Sequence, residues 1–378
     1  MIIRHEAYDL SRQNTFGMRV SCRLYVEVTD PDDLLTLDFD ALPQPLFVMG
    51  GGSNLLFTGD FPGTVLRMAN HGHAVMPGPI GHLLVRVAAG VVFDDFCAWA
   101  AAEGLWGPEN LSLIPGEVGA SAVQNIGAYG VEAKDIIDTV HAFDRKERRF
   151  VDIPGADCGY GYRTSRFKTD WKGRYIITAV TFRLSTIPQP KLDYGGVRKA
   201  LEARFLDSAL SGSARNGKNG SVISTKAEGR VEKSVSPQEI RDTIIAIREQ
   251  KLPDPTEIGS AGSFFCNPVI ERNHFERIVS IAKAENGPDY EVPHYDVGEK
   301  VKVPAAWMID QCGFKGMRLG GAQVYPKQPL VIVNATGSAT PEEIVALEQR
   351  VIGTIREKYG IELHPEVEHV GVQVPDNQ

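Results

Sequence analysis

The apolar positions in the first half of the chain come in short runs that glycine-rich turns separate. Between about Asn14 and Leu184 these runs have the length and residue types of β-strands, as in Leu83 to Ala88 and Tyr175 to Leu184. One amphipathic helix is predicted from about Phe93 to Glu103, and Gly104 ends it. An irregular series of strands with a single helix predicts an α+β fold rather than regular βαβ alternation.

The second half has helical periodicity. Ser236-Pro237-Gln238-Glu239 and Thr340-Pro341-Glu342-Glu343 each match a capping box with proline at the first helical position. Apolar residues at helical spacing follow both, so helices are predicted that end before Pro253 and at Gly360. Shorter elements are predicted as helices at 273–286 and 304–312 and as a strand at 330–333.

A polar stretch separates the two halves. Residues from Ser208 to Ser234 are rich in glycine, serine, asparagine and lysine, with few side chains able to build a core. This composition predicts an exposed insertion. Since a single core rarely grows beyond about 250 to 300 residues, a chain of 378 residues is expected to form more than one domain.

Charge and composition narrow the class of protein. The net charge of −8 opposes binding to nucleic acid, although a small anionic substrate needs only a few positioned cations. No apolar run approaches the roughly 18 residues of a membrane span. The first residues carry no secretion signal, and the five dispersed cysteines form no C-x-x-C, so we expect a cytoplasmic protein with free thiols.

Two glycine-rich segments carry the first functional signal. Gly50-Gly51-Gly52-Ser53-Asn54 follows a short strand-like run, and Pro115 to Gly130 combines four glycines with small and amide side chains. Exposed backbone N–H groups in such turns bind phosphates, although each loop alone could be an ordinary tight connection. A strand rather than a helix follows Gly52, which disfavours a Rossmann site, and no P-loop motif is present.

Motifs along nearly the whole chain resemble the UDP-N-acetylenolpyruvoylglucosamine reductase family. The two glycine segments are followed in the family's order by Tyr162 to Lys168, Gly262 to Phe265 and His364 to Val367. The resemblance implies an α+β protein with a two-subdomain FAD-binding fold of the vanillyl-alcohol-oxidase/p-cresol-methylhydroxylase type, plus a C-terminal α+β substrate-binding domain. It further implies an NADPH-dependent oxidoreductase of peptidoglycan synthesis, and so of cell wall biogenesis, cell shape and cell division.

The resemblance also implies domain limits. The FAD-binding domain is expected at 14–187, with its first subdomain completed by 361–378. A connecting region, 188–252, contains the polar insertion 208–234, and the substrate-binding domain is expected at 253–360.

FAD is the cofactor that the resemblance implies, with NADPH as the hydride donor. Ser53 and Asn54 stand where related flavoproteins often attach the flavin through histidine, so FAD is expected to bind non-covalently. The expected cofactor-binding residues are Gly50, Gly51, Gly52, Ser53, Asn54, Pro115, Gly116, Gly119, Ala120, Gln124, Asn125, Ile126, Gly127, Ala128 and Tyr129.

The chemistry implied by the resemblance requires a cation, an acid and a proton donor. Hydride addition to an enol ether conjugated to a carboxylate places negative charge on the substrate. At the family positions, Arg163 would hold the carboxylate, Glu366 would act as an acid and Ser263 would give a proton to the enol carbon. The alternative role of Arg163 is a surface ion pair, that of Glu366 is a solvated glutamate, and that of Ser263 is a turn hydroxyl. Phe264 and Phe265 are predicted to pack rather than to stack on substrate.

The UDP-sugar would contact a further set of residues. The expected substrate-binding residues are Tyr162, Tyr194, Lys251, Asn267, Tyr295 and Gln328. Cys266 departs from the commoner pattern, in which a lysine is frequent, so local positive charge is reduced. The expected partners are UDP-N-acetylglucosamine enolpyruvate and NADPH, for a monomer that binds neither nucleic acid nor membrane.

His364 and His369 do not indicate a metal site. Proline interrupts any helix that would align them, no third ligand is near in sequence, and the spacing is not a zinc motif, so no metal is expected. His369 is predicted to be an ordinary surface or core histidine. Two rival functions remain at this point: a flavin oxidase of the same superfamily, and a nucleotide-binding module without turnover.

Overall fold

The computed structural model describes residues 1–204 and 235–371. The insertion predicted at 208–234 and the end of the segment 361–378 therefore lie outside the described residues. Contacts between residues divide the chain into two compact units. The first comprises Met1–His5, Leu24–Gly51 and Gly63–Gln250, and the second comprises Glu6–Arg23, Gly52–Pro62 and Lys251–Gln378.

The first unit contains a five-stranded antiparallel sheet in the order β11-β10-β12-β7-β6. Its strands are β6 (His73–Pro77), β7 (His82–Ala88), β10 (Ile137–Asp144), β11 (Arg149–Pro154) and β12 (Tyr175–Ser185). Helix α1 (Phe93–Ala102) lies on this sheet, where Phe96 stacks on Phe182 with ring centroids 4.6 Å apart. The predicted amphipathic helix is therefore confirmed, and its apolar face forms part of the core.

A second sheet has the order β1-β2-β5-β3. Its strands are β1 (Ile2–Asp9), β2 (Ser21–Val28), β3 (Leu46–Met49) and β5 (Phe61–Met68), of which β1, β2 and β5 continue into the second unit. β3 pairs in parallel with β5, with Leu46 opposite Thr64 and Met49 opposite Arg67. The carboxyl end of β3 leads directly into Gly50.

The glycine-rich segment from 115 to 130 is not a continuous loop. It contains helix α2 (Val118–Gln124), followed by the short strands β8 (Gly127–Ala128) and β9 (Val131–Glu132). Val118 and Ala122 lie one turn apart on the buried face of α2, and neither is exposed to solvent. Tertiary packing therefore stabilises a helix that its glycine and serine content does not favour.

Helix α3 (Pro237–Lys251) begins at the predicted capping box. The Ser236 Oγ accepts a hydrogen bond from the Glu239 N–H at 3.3 Å, and the Glu239 carboxylate accepts one from the Ser236 N–H at 2.7 Å. A bidentate ion pair joins α3 to α1, since Arg241 Nη1 and Nη2 lie 2.5 and 2.8 Å from the two Asp94 oxygens. Residues 197–204 are also helical, and short 3-10 helices lie at Pro31–Leu35, Glu109–Leu111, Ala133–Asp135 and Gly155–Cys158.

The second unit is built around an antiparallel sheet in the order β13-β19-β18-β17. The strands are β13 (Gly259–Ser263), β17 (Arg318–Leu319), β18 (Ala322–Val324) and β19 (Val331–Asn334). A three-stranded sheet, β14-β16-β15, consists of Val269–Glu271, Lys300–Lys302 and Tyr295–Val297, and β4 (Leu55–Phe57) pairs in parallel with β20 (Glu368–Val370).

The helices of this unit are α4 (Arg272–Asn286), α5 (Ala305–Gln311) and α6 (Pro341–Tyr359). The capping box predicted at Thr340 is confirmed, and Gly360 ends α6 with φ of 66°. Ile344, Leu347, Val351 and Ile355 are all fully buried along one face of α6. In the described ranges, no helix is both long enough and apolar enough to cross a bilayer.

We expect Asp94→Asn to lower the free energy of unfolding by about 1–2 kcal/mol at pH 7, less than a fully buried pair would lose because Asp94 is partly exposed. Burial raises the pKa of Asp94, but the Arg241 guanidinium and the Leu113 N–H outweigh this effect and hold that pKa below its usual range. The pair's contribution is therefore present above the unfolded-state pKa of about 3.9 and is lost as the pH falls through the lower folded-state pKa. Urea unfolding at pH 7 and below pH 4 measures the difference.

The matched control is Asp170→Asn, because Asp170 forms an ion pair with Arg166 that is exposed to solvent. That substitution should leave the unfolding midpoint unchanged. Equal destabilisation by the two variants, or an Asp94→Asn effect that persists in acid, would contradict the role of the α1–α3 pair.

Candidate functional site

The two glycine segments meet within the first unit. A Cβ atom added to Gly51 would lie 3.5 Å from the Gly116 Cα, and one added to Gly50 would lie 2.9 Å from the Ala120 Cβ. Glycine is thus required at position 50 by the close approach of the two segments, whereas a Cβ at Gly51 would make an ordinary van der Waals contact. A side chain at Gly50 would push the two segments apart.

An ion pair lies directly beneath this junction. Arg67 Nε on β5 donates to Glu117 Oε1 at 3.0 Å, and Arg67 Nη2 donates to the same oxygen. The Glu117 side chain is only 5% exposed, and its Oε2 would be 3.5 Å from a Cβ on Gly50. Burial raises the pKa of the Glu117 carboxyl, and the hydrogen bonds from Arg67 act against that rise. Sequence reasoning missed this pair, whose only sequence signal is an acidic residue inside a glycine-rich turn.

The Gly50 turn fits a phosphate-bearing cofactor. Within the described ranges, the N–H groups of Gly50 and Gly51 donate no hydrogen bond to the protein. Consecutive backbone donors that the protein leaves unused are the feature of an anion-binding nest. The geometry therefore matches the backbone donors expected for the FAD pyrophosphate.

Gly52 has a requirement of its own in the second unit. Its φ is +66°, and a Cβ there would lie 1.9 Å from the Gln13 carbonyl oxygen. The Gly52 carbonyl in turn accepts a hydrogen bond from the Thr15 N–H at 3.1 Å. The chain's own backbone therefore excludes a side chain at Gly52, independently of any cofactor.

Two of the amide residues predicted to bind the cofactor make contacts within the protein. Asn125 is fully buried, with φ of 49°, and its Nδ2 donates to the Gly161 carbonyl at 2.7 Å. Its Oδ1 accepts a hydrogen bond from the Lys134 N–H at 3.0 Å. Lys168 Nζ donates to Gln124 Oε1 at 2.7 Å. The Lys168 bond joins the segment 162–168 to α2, and the bonds of Asn125 tie the residue after α2 to Gly161 and Lys134. Sequence reasoning did not predict these structural roles, and cofactor contacts by both amides stay a prediction.

Arg163 lies against the end of the second glycine segment. Its backbone is left-handed, with φ of 56°, and its Nη2 donates to the Gly127 carbonyl at 2.5 Å. The guanidinium carbon lies 5.2 Å from the centre of the Tyr162 ring. A Cβ on Gly127 would come within 2.8 Å of Arg163 Nη1. Glycine at 127 therefore leaves space for the arginine as well as for any ligand.

Tyr194 lies next to the same segment. A Cβ on Gly130 would be 3.1 Å from the Tyr194 Cβ, and one on Gly195 would be 2.7 Å from the Tyr129 ring. Tyr194 is 43% exposed, so its ring is accessible to solvent. The structure thus brings a residue predicted to bind substrate beside Tyr129, a residue predicted to bind the cofactor.

In the second unit, Ser263 lies at the end of a bulged strand. β13 pairs with β19, and its register shifts between Ser260 and Ser263, where Gly262 has φ of 72°. A bulge of this kind turns a side chain away from the regular alternation of the strand. Ser263 itself is partly exposed, and the two phenylalanines that follow it are buried, as predicted for packing residues.

Backbone pairing brings the Ser263 and Glu366 segments together. The Glu366 N–H donates to the Phe264 carbonyl at 2.8 Å, and the Cys266 N–H donates to the His364 carbonyl at 2.9 Å. Asn54 Nδ2 also donates to the Glu366 carbonyl, at 3.1 Å. Positions 54, 263 and 366, which are far apart in sequence, therefore belong to one local cluster. Glu366 is partly exposed.

The remaining predicted substrate residues of this unit lie on separate elements. Asn267 Oδ1 accepts the Ala305 N–H at 2.9 Å and so caps α5, while Tyr295 is 49% exposed on β15. Lys251 is the exposed last residue of α3, and Gln328 lies in the turn that follows β18. Capping by Asn267 is a structural role that the local motif did not reveal.

His369 has a specific partner. Its Nε2 lies 2.9 Å from Glu348 Oε2, and Glu348 on α6 is only 2% exposed. The histidine ring also lies 6.3 Å from the Phe264 ring. Glu348 occupies a core position in the helical period of α6, and sequence reasoning did not single it out.

The joined glycine segments suit a phosphate-bearing cofactor, and comparison with known families identifies the class of protein as a flavin-binding enzyme. The FAD binding domain family matches residues 23–148, and the C-terminal domain family of UDP-N-acetylenolpyruvoylglucosamine reductase matches residues 254–370. The chain belongs to the UDP-N-acetylenolpyruvoylglucosamine reductase family. The family, the fold class and FAD as cofactor, all predicted from the sequence motifs, are thereby confirmed.

Similar proteins match along their whole length. The UDP-N-acetylenolpyruvoylglucosamine reductase of Bacteroides fragilis is 42% identical over 97% of this chain and 99% of its own. That of Porphyromonas gingivalis is 40% identical over 98% of this chain and 100% of its own. The crystal structure of UDP-N-acetylenolpyruvylglucosamine reductase from Thermus caldophilus has a TM-score of 0.61 at 21% identity, covering 98% of this chain and 99% of that one, which supports the fold.

We expect Glu117→Gln to weaken FAD retention at least tenfold and to lower the free energy of unfolding by about 2–4 kcal/mol, because it removes the charge of the buried carboxylate that binds the Arg67 guanidinium. The flavin-to-protein absorbance ratio after desalting and urea unfolding measure the two effects. Glu27→Gln is the matched control, since Glu27 Oε2 lies 3.9 Å from Arg67 Nη1 and makes no closer ion pair with it. Full FAD occupancy in Glu117→Gln would show that the pair does not support the glycine junction.

Proposed function

We propose that this protein is an NADPH-dependent flavoenzyme that reduces UDP-N-acetylglucosamine enolpyruvate to UDP-N-acetylmuramate in peptidoglycan precursor synthesis. The observation that carries the proposal is the full-length similarity to relatives named UDP-N-acetylenolpyruvoylglucosamine reductase. The unused N–H groups at the glycine junction support it independently, because they suit a diphosphate cofactor.

FAD would be held by the backbone of the Gly50 turn and of the segment that begins at Gly116. When bound, FAD supplies the relay of hydride from NADPH to the enolpyruvyl group. Non-covalent binding is proposed because Ser53 and Asn54 follow the glycines, and Asn54 already bonds to the Glu366 carbonyl. The flavin is therefore expected to dissociate when the protein unfolds.

Arg163 is proposed to hold the substrate carboxylate. The hydrogen bond to the Gly127 carbonyl fixes one Nη atom and so orients the planar guanidinium. An arginine that is already oriented loses less conformational entropy when it binds a carboxylate. This contact also stabilises the enolate that forms as hydride adds, since charge then spreads onto the carboxylate.

Ser263 is proposed to donate a proton to the enol carbon, with Glu366 as an acid that stabilises the anionic substrate. The bulge in β13 turns Ser263 out of the regular strand, and backbone bonds hold Glu366 on the neighbouring segment. Serine is a weak acid, so it suits only the step in which a strongly basic enolate takes the proton. Tyr162, Tyr194, Lys251, Asn267, Tyr295 and Gln328 are proposed as substrate-binding residues.

The finer assignments are part of the same proposal. The enzyme is proposed to be a cytoplasmic monomer that binds neither nucleic acid nor membrane, in support of cell wall biogenesis, cell shape and cell division. Its five free cysteines support a reducing compartment. The proposed domains are 14–187 with 361–378, then 188–252, then 253–360, and the family matches at 23–148 and 254–370 support them.

An anaerobic titration tests the activity. NADPH should bleach the flavin absorbance of the purified protein, and the enolpyruvyl UDP-sugar should restore it under argon in a stoichiometric amount. Restoration by air but not by the UDP-sugar would favour a flavin oxidase. A protein without flavin bands would favour a binding module without turnover.

Ser263→Ala should slow one half-reaction of the catalytic cycle and leave the other unchanged. Flavin reduction by NADPH is expected to stay near the wild-type rate, while reoxidation by the enolpyruvyl substrate slows by about 10² to 10⁴-fold, the range for a lost proton donor. Stopped-flow absorbance measures each half-reaction. Ser260→Ala is the control on the same strand, because Ser260 is buried and pairs with Val333. Equal slowing of both half-reactions by Ser263→Ala would assign Ser263 a structural role.

A further inference from the structure

Arg248 faces the same part of the first unit as Arg163 but has no assigned role. It lies on α3, seven residues after Arg241 and four after Ile244, so all three share one face of the helix. Arg241 on this face reaches Asp94, and Ile244 is fully buried in a core cluster against which Tyr129 also packs. The face that carries Arg248 is therefore directed toward the glycine segment that ends at Tyr129 and Gly130.

The guanidinium of Arg248 has no hydrogen-bond or ion-pair partner among the described residues. Its Nε is buried without an acceptor. The other arginine of this helix, Arg241, is paired with both carboxylate oxygens of Asp94. Asp94 Oδ1 also accepts the Leu113 N–H, so this carboxylate is already occupied. A buried donor on a charged group is costly unless something else satisfies it.

The charges around Arg248 point to an anion that is not part of the chain. Burial lowers the pKa of Arg248, and the nearby positive charge of Arg163 acts in the same direction, while Tyr129 and Asp94 oppose the change. Arg163 and Arg248 are two positive charges near one tyrosine, and the nearby carboxylate of Asp94 is paired with Arg241. Such an arrangement is stabilised when a negatively charged group binds in it.

We propose that Arg248 is an anion-binding residue, the second cation of the Arg163 region, and that it receives a carboxylate or phosphate oxygen of a ligand bound beside Tyr129. This inference rests on the proposed function, in which every ligand carries such groups: a carboxylate and a diphosphate on the UDP-sugar, and phosphates on NADPH and FAD. An arginine is suited to either group because its fork donates two parallel hydrogen bonds.

The test compares Arg248→Met with Arg248→Lys in the FAD-bound enzyme. Arg350→Met on the exposed face of α6 is the control for the loss of one positive charge. Flavin absorbance or fluorescence titrations give the dissociation constants for the enolpyruvyl UDP-sugar, UDP-N-acetylglucosamine and NADP⁺. Arg248→Met should weaken at least one of these by about ten- to a hundredfold, and Arg248→Lys by less.

The set of dissociation constants that change in Arg248→Met identifies the ligand group that Arg248 binds. Weaker binding of the enolpyruvyl sugar alone assigns Arg248 to the carboxylate, because UDP-N-acetylglucosamine lacks that group. Weaker binding of both UDP-sugars assigns it to their diphosphate, weaker binding of NADP⁺ to its phosphates, and loss of flavin from a folded variant to the FAD pyrophosphate.

Stability separates binding from a structural role. In the protein stripped of FAD and without added ligand, the unfolding temperature of Arg248→Met should equal or exceed that of the wild type, because a positive charge whose Nε is buried without an acceptor is removed. Unchanged dissociation constants for all three ligands with full flavin content would overturn the proposal, as would a ligand-free destabilisation that accounts for the weaker binding. Failure of the proposed function would instead be seen in the wild type, as flavin that the enolpyruvyl sugar does not reoxidise.

Discussion

The ion pair between Arg67 and Glu117 is the interaction on which the glycine junction depends. Gly50 can approach Ala120 only because it has no side chain, and the Glu117 carboxylate beneath this junction is almost fully excluded from water. A carboxylate buried in that way is stable only when a cation accompanies it. Arg67 belongs to β5, whose pairing with β3 also sets the position at which Gly50 begins. One pair of charges therefore joins the sheet to both loops.

In the second unit, strand pairing has the corresponding role. Parallel pairing of β20 with β4 aligns Glu368 with Leu55, and the segment just before β20 bonds to the backbone that follows Ser263. These bonds use backbone atoms, so they leave the side chains of Ser263 and Glu366 available for chemistry. The buried carboxylate of Glu348 on α6 pairs with His369, whose ring lies 6.3 Å from the Phe264 ring, and so connects α6 to the same cluster.

Much of this architecture could be predicted from short-range patterns. Capping boxes at Ser236 and Thr340 marked helix starts to within a residue, because the cap geometry depends on only four consecutive positions. The helix within the second glycine segment could not be predicted in that way. Its glycine and serine, Gly119 and Ser121, have low helix propensity, and buried contacts by Val118 and Ala122 stabilise it instead. For the same reason, motif matching assigned Asn125 and Gln124 to a ligand, whereas their side chains also bind Gly161 and Lys168.

By itself, the sequence determined the family, the α+β class, the cofactor and the motifs in which the functional residues lie, because these depend on residue types at fixed local spacing. Only the tertiary structure decided which charges have partners. Arg241 and Arg248 lie on one face of one helix and are equivalent in sequence pattern, yet the first is paired with Asp94 and the second is not. The partner of a charged side chain can lie far away along the chain, as the separation of 147 residues between Asp94 and Arg241 shows. Local pattern contains no information about such contacts, since folding alone brings the two segments together.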